Sequence, residues 1–458
     1  MWITKKIINT FNKVFSVGNR PVFKLVCIYF SAHFLLLLNK TVIHDGWFVY
    51  PLVLFKKYDA LWNLYFNQAK LYNFYYFLKF ISFAKDPLFI FKCVAFLSWL
   101  ISGICIYYIL RDFVVKSKRD VFIISLLYLL SPVFFTRFEI SIVHYSINNA
   151  LFFSGALIYL KLYNKQRLYR YFGYFVSVVF FIISFWTRSF LVFYFGFLAL
   201  LFYITLKEKQ YGWRDINFNL LLKICYKNIF FLLLPFVFYF VDLFIIGKPT
   251  GEFQHYNEFL KFNFHDASRF LEKLWQTIAY GFFWPIVQPL SMLQRKIFAV
   301  LFMAIIFPLY LFLKKEFSDG DENKSGIAYA LIGVFLFFIG FFPYLLVGKA
   351  PIPYSGGNSM RHAVLLPLGS AFLILGFFYI LFKEKWITIV FSCLFSLLIV
   401  SNIFNYFLID MDYYKQTAFI ENLSQLDSAK NSSDVIMVID DRMGAFNWGN
   451  RGFSAYEY

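Results

Sequence analysis

Leu274-Trp275-Gln276-Thr277-Ile278-Ala279-Tyr280-Gly281-Phe282-Phe283-Trp284-Pro285-Ile286-Val287-Gln288-Pro289-Leu290-Ser291-Met292-Leu293 is the stretch on which the topology of this chain turns. It has the apolar length to cross a bilayer, but Pro285 and Pro289 interrupt it. If it spans, every later loop inverts: Lys314, Lys315 and the linker Glu316–Lys324 fall outside, and the C-terminal tail falls inside. If it is re-entrant or lies on the surface, Lys314-Lys315 and the later Lys383 and Lys385 stay cytoplasmic. The second version keeps the basic residues of each short loop on one side, as the positive-inside rule requires, and we adopt it. The expected fold is an all-α integral membrane protein of about eleven transmembrane helices, N-terminus inside and C-terminus outside.

Composition supports that class. Sixty per cent of residues are apolar and only 15% are charged, with 67 Phe and 33 Tyr, where soluble domains carry about a quarter charged residues. The formal charge of +18, from 44 Lys plus Arg against 26 Asp plus Glu, would point to nucleic acid in a soluble chain. Here the basic residues fall between apolar runs, so they read as topology signals and contacts to anionic lipid, with no nucleic-acid partner. The five cysteines have no metal-ligand spacing and most lie in apolar runs, which excludes a disulfide framework or a zinc site.

The basic residues Lys5, Lys6, Lys13 and Arg20 precede an apolar run from Pro21 to about Asn39, with no cleavage site, so it reads as an uncleaved signal anchor. Residues 46–87 mix Trp47, Trp62, Tyr and Phe with lysines, the pattern of amphipathic surface helices in the headgroup region of the first outer loop. Further spans are expected at about 88–110, 121–135, up to 162, 171–187, 190–206, 229–247, 297–313, 327–347, 363–382 and 386–408. The membrane domain is thus 1–408. The tail 409–458 is expected as a short extracytoplasmic segment in which Asp434–Asp441 reads as a buried strand, and a larger outer domain beyond Tyr458 stays open.

On this topology the ionisable residues nearest the membrane collect at the outer face. Thr41-Val42-Ile43-His44-Asp45-Gly46-Trp47-Phe48 sets an imidazole and a carboxylate where the first span ends. Arg137, Glu139 and His144 follow the third span, Arg188 tips the hairpin of the fifth and sixth, and Arg361-His362 opens the tenth. Charges held near lipid are costly and tend to have partners or a task. A carboxylate such as Asp45 can accept a proton from an attacking hydroxyl or hold a divalent cation, while arginines grip phosphate bidentately. His255, His265 and Asp266 match no strong metal signature, so metal involvement is undetermined. Asp242, inside the seventh span, reads as a paired or interface-facing acid.

The basic N-terminus, the acid just after the first span and the surface helices of the first outer loop resemble the GT-C-type integral-membrane glycosyltransferases. The run Phe342-Pro343-Tyr344-Leu345-Leu346-Val347-Gly348-Lys349, followed by Ser359-Met360-Arg361-His362, resembles a late segment in relatives from surface-polysaccharide gene sets. The resemblance implies transfer of a sugar from a polyprenyl-phosphate carrier to a glycan, lipid or protein acceptor at the outer face of the membrane, and the many Lys, Asn, Phe and Tyr, as an AT-rich bacterial genome would encode, make a bacterial inner membrane the expected location. It assigns the catalytic base to Asp45, with Asp59 weaker, and departs from the family's acidic pair in having His44-Asp45. His44 joins the catalytic pair, Arg361 and Arg188 would hold the lipid phosphate, and His362, Arg137, Glu139 and His144 would line the substrate. The competing readings are an O-antigen or capsule polymerase and a lipid-linked sugar flippase. The first is disfavoured by the few cations of loop 247–273, the second by mid-span positions that are mostly Phe, Leu, Ile and Val.

Overall fold

A computed structural model describes residues 20–42, 46–133, 139–163, 167–208, 218–254, 264–317, 326–352 and 358–425, and among these every regular element is helical. The first apolar segment is α1 (Arg20–His33), which breaks at Phe34 before the short α2 (Leu35–Leu38). His33 at the break is fully buried and bonds Tyr406 Oη at 2.9 Å and the Leu129 carbonyl at 3.1 Å. The aromatic stretch forms a surface layer of α3 (Gly46–Leu54), α4 (Tyr58–Leu61), a π-helical turn Trp62–Gln68 and α5 (Tyr72–Ile81). Val49, Val53, Phe74 and Leu78 of that layer share a buried cluster with Phe91, Ala95, Ile140 and Val143, so the layer is seated on the bundle.

The bundle continues with α6 (Pro87–Ile109), α7 (Lys118–Leu130), α8 (Val143–Leu162), α9 (Arg167–Ser184), α10 (Ser189–Glu208), α11 (Phe218–Lys227) and α12 (Ile229–Val241). Local chemistry sets the starts of α6 and α7. Asp86 accepts from Phe89 N at 3.0 Å with Pro87 in the first turn, and Ser117 Oγ accepts from Asp120 N at 3.3 Å. Then come α13 (Phe264–Ile278), a π turn Ala279–Phe283, α14 (Trp284–Met292), α15 (Lys296–Phe317), α16 (Gly326–Leu345), α17 (Leu366–Leu381) and α18 (Glu384–Gln425). Each apolar segment expected from the sequence is thus a helix. Among the described residues six helices are long and apolar enough to cross a membrane, and Pro21–His33, Leu168–Ser184 and Leu366–Leu381 are shorter apolar helices. The last helix runs on unbroken to Gln425, so the change of character expected at 409 falls inside a helix; the strand expected at 434–441 lies outside the described residues.

The stretch is helical from Leu274 to Met292, passing from α13 to α14 with the two prolines accommodated in α14. Its middle packs on α17, where Ser370 Oγ donates to the Gly281 carbonyl at 3.2 Å, and its end packs on α18, where Gln288 donates to Asn405 Oδ1 at 3.3 Å. Phe298 at the start of α15 meets Phe404 of α18, while Phe312 near its end meets Phe122 of α7. The end of α14 and the start of α15 therefore lie at the end of the bundle that holds the C-terminal part of α18.

Two ends can be told apart by their contacts. At one, Asp120 is fully buried and accepts from the hydroxyls of Tyr329, at 2.8 Å, and Tyr379, while Arg119 pairs with Asp120 and Glu384. That knot ties α7, α16, α17 and α18 together. At the other end Thr41 Oγ1 donates to the Ile409 carbonyl at 2.8 Å and Asn402 donates to the Leu130 carbonyl at 2.8 Å.

Helices α16 and α17 approach most closely, because glycines face the partner backbone along both. A Cβ on Gly333 would stand 2.6 Å from Leu373 N, one on Gly376 2.5 Å from Ala330 N, and one on Gly340 2.9 Å from the Leu365 carbonyl oxygen. Small residues at such a crossing let backbones approach where lipid gives no hydrophobic drive for association.

Candidate functional site

The end opposite the Asp120 knot gathers most of the expected site residues that are described. His44, Asp45 and Arg137 lie outside the described residues, but both flanks of the first pair are placed. On one flank Thr41 is buried, with its carbonyl accepting from Lys92 Nζ at 3.0 Å, its amide donating to Asn39 Oδ1 at 2.9 Å and its hydroxyl bound to Ile409. On the other flank Gly46 packs against Ile140, the residue after Glu139. Glu139 is 1% exposed and accepts from Ser141 Oγ at 2.6 Å. The Lys92 ammonium, 1% exposed, lies within electrostatic reach of both Glu139 and Asp410.

Lys92 was not singled out by the sequence reading, which absorbed it into the second span. A lone lysine in an apolar segment was the available signal. Its burial requires compensation, which Glu139, Asp410 and the Thr41 carbonyl supply.

The loop after α16 carries the cations. Gly348 has φ +64, and the amide of Lys349 donates to the Tyr344 carbonyl at 2.9 Å, closing the helix as a glycine-dependent C-terminal cap. The chain then turns through Ala350, buried, and returns in a 3₁₀ turn Asn358–Ala363 whose Met360 and Ala363 are fully buried. His362 Nδ1 donates to the Ala350 carbonyl at 3.3 Å, joining the two ends of the loop. This bond puts the His362 proton on Nδ1, and burial first, then Arg361 and Lys349, hold the ring well below the usual histidine range. His362 thus acts as a neutral brace for the loop.

Arg361 is the electrostatic centre. Its guanidinium acts on His144, Tyr145, Lys349 and His362, which come from α8 and from both ends of the 349–362 loop. Burial, and then Arg361, push the Lys349 ammonium down to about 7. Two basic side chains within electrostatic reach of each other and partly desolvated favour an anion with more than one charged oxygen. Lys349 stands in the run Phe342–Lys349 noted from the sequence, where no role was assigned to it.

Arg188 takes a different part. It pairs with Asp242 through Nε at 2.8 Å and through a terminal guanidinium nitrogen at 2.9 Å, a side-on bidentate tie between the start of α10 and the turn after α12. Asp242 is therefore the paired acid expected from the sequence. Arg188 still borders the site, because its neighbour Ser189 bonds Tyr344 Oη at 2.9 Å and the Tyr344 ring lies 5.0 Å from His362.

The structure therefore joins Glu139, His144, Arg361 and His362 at one end, adds Lys92 and Lys349, and engages Arg188 with Asp242. Among the described residues no three His, Cys, Asp or Glu side chains stand together as a metal site; His255 lies outside them, as do the side chains of His265 and Asp266. No family model, curated protein or solved structure matches the chain.

Proposed function

We propose that this chain is a membrane glycosyltransferase that moves a sugar from a polyprenyl-phosphate carrier to an acceptor hydroxyl. In this reading about eleven helices span a bacterial inner membrane, with the N-terminus in the cytoplasm and the site at the outer face. The observation that carries it is the convergence of Arg361, Lys349 and His144 from separate elements beside the flanks of His44-Asp45. A phosphate leaving group needs such cations, and an inverting transfer needs a carboxylate opposite them.

Asp45 takes the proton of the acceptor hydroxyl as its oxygen attacks the anomeric carbon. The bond from that carbon to the phosphate oxygen breaks, its electrons go to the polyprenyl phosphate, and Arg361 with Lys349 stabilises the charge that develops. The anomeric configuration inverts with no covalent intermediate. His44 orients or shares the proton, and Glu139 holds Lys92, which in turn holds the Thr41 carbonyl at the head of the catalytic loop.

The test uses the purified full chain in lipid nanodiscs with a radiolabelled polyprenyl-phosphate sugar and an acceptor pool from the host envelope. Asp45→Asn is expected to fold and to lose transfer by about a hundredfold or more, the range for removing a general base. A folded Asp45→Asn protein with full activity removes the base assignment. Labelling of single cysteines at 45 and 361 from opposite sides of the membrane removes the composite site.

A further inference from the structure

The surface layer ends in two turns that touch each other away from the candidate site. The first, after α3, is Phe55-Lys56-Lys57-Tyr58; the second, after α5, runs from Phe80 to Lys85. Tyr58 Oη and Ser82 Oγ are 3.0 Å apart, the Tyr58 and Phe83 rings lie at 6.4 Å, the Lys56 ammonium sits 5.6 Å over Phe83 and that of Lys79 5.4 Å over Tyr58. On this small area Phe55 is 68% exposed, Phe80 75% and Phe83 67%, while Lys56, Lys57 and Lys85 are exposed around them.

Three phenylalanines ringed by four lysines stay largely uncovered by the described residues, Phe83 meeting only Tyr58 and Lys56. Exposed apolar groups of this kind mark an interaction surface. Its position says what covers it. The patch runs directly into Asp86 and α6, a helix long and apolar enough to span, and Phe89 in the first turn of α6 is also exposed. The rings therefore stand at the level where hydrocarbon begins.

We infer that the Phe55–Tyr58 and Phe80–Lys85 turns form a docking site for anionic phospholipid, with the phenylalanines in the upper acyl region and Lys56, Lys57, Lys79 and Lys85 on the headgroup phosphates. Each basic residue near a charged bilayer adds attraction, and rings immersed beside them add apolar burial. Because α3 links this patch to Gly46, lipid held there fixes the height of the residues next to the candidate site. The inference does not depend on sugar transfer.

The test places the full chain, cysteine-free except for Phe83→Cys carrying a nitrobenzoxadiazole label, in nanodiscs of phosphatidylcholine alone and of phosphatidylcholine with phosphatidylglycerol. The label should emit at shorter wavelength in the anionic discs, and high salt should reverse the shift. Combined Lys56→Gln, Lys57→Gln, Lys79→Gln and Lys85→Gln substitution should make the two discs indistinguishable. Identical emission from the unsubstituted lysine set in both discs overturns the site, and so does a lipid-dependent shift that survives the combined substitution. The lipid comparison is read first on the intact lysine set, so it stands even where the combined variant does not fold.

Discussion

Gly333→Ala probes the geometry that presents the cationic loop. The new Cβ would lie 2.6 Å from Leu373 N and 3.1 Å from the Gly369 carbonyl oxygen, where ordinary contact begins at 3.4 Å, so α16 and α17 would part by about 0.8 Å. Backbone atoms cannot rotate aside as a flexible side chain can, which places the cost at the upper end of overpacking, about 3 kcal/mol. At about 2 °C per kcal/mol for a chain of this size the unfolding midpoint should fall by about 6 °C. The assay is thermal loss of the monodisperse peak in size-exclusion chromatography of the detergent-solubilised protein. Gly247→Ala is the steric control: nothing lies within 4 Å of its Cβ position, and its cost is the backbone's alone, about 1–3 kcal/mol, because φ +80 with ψ 176 is a region that side-chain-bearing residues hardly enter. A Gly333→Ala midpoint within a degree of the parent would show that this crossing is not close-packed. Because the loop bearing Lys349 and Arg361 joins these two helices, the same variant should weaken sulfate binding while Gly247→Ala leaves it alone.

Lys92→Met removes a buried ammonium and leaves Glu139 and Asp410 without it, at a cost of about 3 kcal/mol or more, read as a lowered unfolding midpoint; the added substitution Glu139→Gln should recover part of it. Sulfate, whose own charge is constant near neutrality, should bind more tightly at pH 6 than at pH 8.5, because Lys349 takes up its proton only below about 7; equal affinities by calorimetry would remove Lys349 from the site. Without an anion the sign for stability is the reverse. The unfolded chain keeps that lysine protonated above 7 where the folded one does not, so stability should rise with pH from about 7 towards the ordinary lysine range. A double-mutant cycle of Arg188→Gln and Asp242→Asn should give a coupling of about 1 kcal/mol or less, since the arginine side chain is 39% exposed; a larger value would mean the pair is shielded from water.

Hydropathy made the helices legible, since apolar length is the dominant constraint in lipid and needs no tertiary context. Their ends shifted where local chemistry intervened: the second apolar segment begins with the Asp86 cap and Pro87, and the third with the Ser117 cap. The site was legible only in part. Arg361, His362, His144 and Glu139 stood out as polar residues at the ends of apolar runs; Arg361 reaches His144 and His362, while Glu139 faces Lys92. Lys92 did not stand out, because a single charge inside a long apolar run hardly alters its hydropathy, and its partners come from Glu139 and Asp410, far away in sequence. The role of Arg188 depended on the turn after α12 bringing Asp242 to it, which no local pattern states. The glycines at 326, 333 and 340 recur every seven residues, but their meaning needs the facing glycines 369 and 376.

The knot of Arg119, Asp120, Tyr329, Tyr379 and Glu384 is one of two hoops around the bundle: the Thr41–Ile409 and Asn402–Leu130 bonds close the other end. Helix α17 has 16 residues, about 24 Å at 1.5 Å per residue, and its glycines hold it against the α16 backbone along that length. Arg361 is thus carried by a loop strung between two stiff staves, so a shift of about 1 Å in its place has to arise in the loop itself and not in the helices that bear it.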